Sequence, residues 1–129
     1  MEVARLNEAF GWAWILAGFL SGLVLGLFFR REDWLGGYAS FPRRLVRLGH
    51  ISFLGLGLVN ILFALSAPRM HLAPATLSLA SRAFVIGGVT MPLCCGLLAR
   101  KPGLLPLFAV PVLSLLAGAA LAVAGLVRP

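Results

Sequence analysis

Acidic side chains are scarce in this chain: Glu2, Glu8, Glu32 and Asp33 are the only four among 129 residues. All four fall outside the long apolar runs or at their ends, which leaves no carboxylate pair for acid–base chemistry inside them. Cysteine is nearly as rare. Cys94 and Cys95 are adjacent and offer neither a disulfide framework nor a CxxC motif. Histidine is limited to His50 and His71, and neither an HExxH pair nor a glycine-rich phosphate loop occurs. The loops are too short to hold a soluble catalytic domain. A non-catalytic protein without a cofactor is expected.

Charge of either sign is thin as well, at 12% of residues, where soluble domains carry about 25%. Mean hydropathy is +1.00. Uncharged runs cover 9–29, 48–68, 83–99 and 102–127. Since roughly 20 helical residues span a hydrocarbon core, the expectation is an all-α polytopic membrane protein. It forms one domain over 1–129, with helices at about 8–29, 42–66, 75–99 and 104–126 joined up and down by short loops. None of the runs has the polar stripe that a water-soluble helix bundle needs. The N-terminal run is too long for a signal h-region and ends in Arg30-Arg31 without a small-residue cleavage site, so it reads as the first span.

The net charge of +7 does not imply nucleic acid, because the cations sit at the ends of apolar runs. Arg5, Arg69, Arg82 and Arg128 share one side of a four-span chain. Arg30, Arg31, Arg43, Arg44, Arg47, Arg100 and Lys101 share the other. The positive-inside rule then puts the 30–47 loop in the cytoplasm and both termini outside, in a bacterial inner membrane. Ser40 to Pro42 begins the second helix, since proline fits only the first turn. Trp34 and Tyr38 read as interfacial anchors, and Arg43, Arg44 and Arg47 as lipid-headgroup contacts.

Within the spans, Gly18, Gly22 and Gly26 recur every fourth residue, a GxxxGxxxG groove suited to close helix approach. Ser114, Gly118 and Ala122 form a second small-residue face on the fourth helix. One face is expected to serve the bundle and the other to meet a partner. Three intramembrane polar residues stand out: Asn60, as an interhelical hydrogen bond fixing register; Arg82, two turns inside the third span; and Glu8, its natural counter-ion within the chain, the alternative for Arg82 being a partner subunit or a lipid phosphate. Gly87, Gly88 and Pro92 are expected to loosen the third helix, and Pro111 to bend the fourth. His50 is a low-probability metal or haem ligand, with Met91, Cys94 and Cys95 the nearest second ligands by depth.

Three functions follow, in order. The first is an accessory or structural subunit, partnered by membrane lipids and by other membrane-protein subunits or copies of itself. The second is a small homo-oligomeric transporter or channel. The third is a haem- or metal-binding membrane subunit using His50.

Overall fold

The computed structural model describes residues 2–127. Four helices account for nearly all of it: α1 (Glu2–Leu27), α2 (Phe41–Ser66), α3 (Pro74–Arg100) and α4 (Ala109–Val127). All four are long and apolar enough to cross a membrane, the fourth when counted together with the 3-10 segment Pro102–Phe108 that leads into it.

The pairing of residues gives the direction of each neighbour. Gly11 meets Gly57 and Gly18 meets Leu54, so α1 and α2 run antiparallel. Phe63 tilts against Phe84 at 5.1 Å and Gly49 faces Cys95, so α2 and α3 do the same. Gly118 lies under the Phe84 ring and Gly87 faces Leu115, which sets α4 against α3 in turn. The core gathers at one end, where Phe63, Met70, Ala80 and Phe84 pack with Leu72, Leu115, Leu121 and Ala122. The helices do not close into a ring of equal members. Of each helix's apolar window, 33% is buried in α2 and α3 but only 11% in α1 and α4. In lipid this is stable, because exposed Leu, Phe and Val side chains there meet hydrocarbon instead of water.

The second helix starts where the sequence indicates. The Ser40 side chain accepts from the Arg43 backbone N–H at 3.3 Å and Pro42 sits in the first turn. The preceding turn is tight, with Leu35, Gly36 and Gly37 all at positive φ (55°, 82° and 97°). Leu35 is the one residue with a side chain in that region among those described. Two boundaries differ from expectation. The first helix begins at Glu2, six residues before the expected start at about residue 8, because Arg5 and Glu8 are tolerated at its exposed end. The fourth begins at Ala109, so Pro111 sits in its first turn, where a missing N–H costs nothing. The third continues as helix through Gly87, Gly88 and Pro92.

Candidate functional site

The polar centre of the molecule is a three-helix knot. Asn7 of α1 donates from Nδ2 to Asn60 Oδ1 of α2 at 2.7 Å and reaches the Ser81 carbonyl of α3 at 3.4 Å. The Ser81 hydroxyl donates to Asn7 Oδ1, and Asn60 Nδ2 donates back to the Leu56 carbonyl at 2.8 Å. Asn7 and Asn60 are wholly buried and Ser81 is 1% exposed. Among the described residues no buried side-chain nitrogen or oxygen lacks a partner. Asn60 lies six residues before the end of α2 and Ser81 seven after the start of α3, so the knot sits about 10 Å inside the helix ends.

Backbones approach most closely just beyond it. A Cβ on Gly11 would stand 2.6 Å from the Gly57 carbonyl oxygen, and one on Gly57 would stand 2.8 Å from that of Gly11. The GxxxGxxxG residues are used differently from each other. Gly18 receives the Leu54 side chain, Gly22 the edge of the His50 ring, and Gly26 meets nothing within 4 Å. On α4, Gly118 is buried under Phe84, Ala122 packs on the core and Ser114 is half-buried. Gly18 and Gly22 on α1 and Gly118 and Ala122 on α4 are thus turned inward, while Gly26 stands open. Exposed Leu16, Phe19, Leu20 and Leu23 form the outer face of α1.

One further contact compensates a proline. Pro92 has no N–H to give the carbonyl four residues back, that of Gly88. The indole Nε1 of Trp14 donates to that carbonyl at 2.9 Å. The Leu107 carbonyl, which accepts from the Ala109 N–H, also accepts a weak hydrogen bond from Cys94 Sγ at 3.5 Å.

At the end holding the start of α1, Arg82 is exposed and lines a hollow with Glu2, Arg5, Ser78 and Ser81. Glu8 is exposed in a different hollow, with Arg5, Ala9 and Trp12. The expected Glu8–Arg82 pair is replaced by a shared hollow with Glu2, because Glu8 lies on another face of α1. Arg128, counted on this side, falls outside the described residues.

At the opposite end the three clustered arginines have separate fates. Arg43 is 5% exposed. Its guanidinium donates to the carbonyls of Arg31 (3.1 Å), Phe29 (3.4 Å) and Glu32 (3.5 Å), and lies over the rings of Trp34 and Tyr38. It satisfies the backbone leaving α1, so it is a clamp and not the headgroup contact expected of it. Arg47 donates to the Tyr38 carbonyl at 3.3 Å and sits 4.1 Å from that ring's centroid. Arg44 is exposed and free of such ties among the described residues.

His50 pairs with Ser21 across α1 and α2 at 2.9 Å. The Ser21 hydroxyl also reaches the Gly18 carbonyl at 2.9 Å, and the His50 tautomer decides which of the pair donates. Cys95 lines the same cleft as His50, of about 320 Å³, whereas Cys94 turns toward Leu107. Among the described residues no three His, Cys, Asp or Glu side chains stand close enough to share a metal ion.

Asn7 and Ser81 were the site residues not singled out from the sequence. Asn7 stood outside the apolar run, although its spacing to Gly11 and Gly18 would have placed all three on one helical face. Class and geometry define an all-helical chain with four helices suited to membrane crossing. Compared with known protein families, curated proteins and solved structures, it matches none.

Proposed function

We propose that this chain is a non-catalytic integral membrane protein that serves as an accessory or structural subunit of a larger membrane complex. Its setting is a bacterial inner membrane, with the 30–47 loop on the cytoplasmic side. One observation carries the reading. The amides of Asn7 and Asn60 and the hydroxyl of Ser81 are spent on one another in the knot, while only 11% of the apolar window of α1 and of α4 is buried. A polypeptide built this way holds its own helices in register and offers two flanking apolar surfaces, without a polar route through the middle. The surface offered to a partner is the bulky face of α1 or α4, since Gly18, Gly22, Gly118 and Ala122 already have neighbours within the chain.

The test is purification from native membranes in mild detergent after brief crosslinking. Stoichiometric recovery of one defined set of foreign membrane subunits is the expected result. Recovery of a homo-oligomer alone, with solute flux in liposomes, would replace the reading with the transporter or channel. An absorbance band in the Soret region would replace it with the haem subunit.

A further inference from the structure

We propose that the cleft between α1 and α3 seats one anionic phospholipid, its acyl chain between the helices and its headgroup at the end rich in Arg and Lys. The cleft exists because α1 and α3 touch only along one half of their length. They meet at Asn7–Ser81, at Phe10 against Gly88, and through the Trp14–Gly88 hydrogen bond. Beyond Trp14 two hollows separate them. One of about 260 Å³ is lined by Trp14, Val89 and Leu93, and one of about 320 Å³ by Val24, Val46 and Cys95. Phe53 and Pro92 line both and stand between them. A flexible chain can bend past such a neck, whereas a partner helix about 10 Å across needs an unbroken groove.

The walls are almost wholly apolar, and the polarity at the open end has one sign. Gly96 is on the wall, and Arg100 follows it by four residues on the same face of α3, with Lys101 next. On α2, Arg47 precedes the wall residue His50 by three. Altogether this end holds Arg30, Arg31, Arg43, Arg44, Arg47, Arg100 and Lys101 against two carboxylates, Glu32 and Asp33. An apolar slot leading to that surplus fits a molecule with a hydrocarbon tail and a negative head. The site does not depend on the accessory reading, because the lipid would bind the isolated chain.

Gly96 supplies a variant that leaves the fold intact, since a Cβ there would meet nothing within 4 Å. The full chain in mild detergent is offered phosphatidylglycerol or phosphatidylcholine with identical acyl chains, and bound lipid is counted by native mass spectrometry. The expected result is one retained phosphatidylglycerol per chain and at least tenfold less phosphatidylcholine. Gly96→Leu should keep the parent helix content and lipid-free melting temperature yet retain at least tenfold less phosphatidylglycerol. Gly55→Leu, at another open glycine that does not line the cleft, should retain it as the parent does. Arg100→Gln and Lys101→Gln should each weaken retention about fivefold. Equal retention of both lipids, or normal retention by Gly96→Leu, overturns the proposal. So does a lipid-free dimer that Gly96→Leu dissociates, which would make a second copy the occupant.

Discussion

Asn7 and Asn60 meet amide to amide at 2.7 Å, fully buried, with Ser81 closing the third side. In hydrocarbon neither amide has water to fall back on, so the pair is held by the absence of an alternative. Measured membrane hydrogen bonds nevertheless average about 0.6 kcal/mol and reach about 1.7. A double-mutant cycle of Asn7→Ala and Asn60→Ala is expected to give a coupling near the upper figure, because Ser81 shares the network. Unfolding free energies of the four proteins in one detergent or bicelle check it. A coupling indistinguishable from zero would mean that the knot does not hold the helices together.

The Gly11–Gly57 crossing makes a sharper distinction among glycines that look alike in the sequence. Gly57→Ala places a methyl carbon 2.8 Å from a backbone oxygen that cannot move without the helix. The expected cost is about 2 kcal/mol, from the range for overpacking. Gly26→Ala has open space and should be neutral or slightly stabilising through helix propensity. Both can be read from the fraction unfolded against denaturant. Equal behaviour of the two would argue against the close approach.

Apolar run length made the four helices legible, because hydrocarbon thickness demands about 20 residues whatever the packing. The start of α2 was legible for a different reason: Ser40 and Pro42 are local signals. Contact partners were not. Gly18, Gly22 and Gly26 share one spacing, yet Leu54, the His50 ring and open space lie opposite them, since the partner helix decides what fills each notch. Asn7 was hidden by neighbouring Arg5 and Glu8, charges that suggest a helix has not yet entered the membrane. Arg43 looked identical to Arg44 and Arg47. Only the path of the chain from Phe29 to Glu32 brings three carbonyls to its guanidinium.

Arg43 and Arg44 therefore give a test that sequence alone would not propose. Arg43→Ala removes donors from three carbonyls and the cation over two rings. Charged hydrogen bonds contribute about 1.5–3 kcal/mol, so a loss of about 2 kcal/mol is expected. Trypsin cleavage around residues 29–40 should also speed up. Arg44→Ala should change stability by no more than about 0.5 kcal/mol, as exposed surface substitutions do. If the two variants behaved alike, the clamp would not be a clamp.

Trp14 and Pro92 meet at one acceptor, the Gly88 carbonyl. Proline removes the N–H that the Gly88 carbonyl would use, and the indole takes its place from another helix at 2.9 Å. Trp14→Phe keeps most of the ring and deletes that donor, so in the parent it should cost about 1–2 kcal/mol, the penalty for an abandoned buried acceptor. Pro92→Ala restores the helix's own N–H. In that background the same Trp14→Phe change should cost only the lost indole contacts, and the cycle should show a coupling of about 1 kcal/mol. The order of stabilities follows: Trp14→Phe alone falls furthest, and adding Pro92→Ala recovers part of the loss. Should Pro92→Ala rescue nothing, the indole would be a packing element and the Gly88 carbonyl would be satisfied by other means.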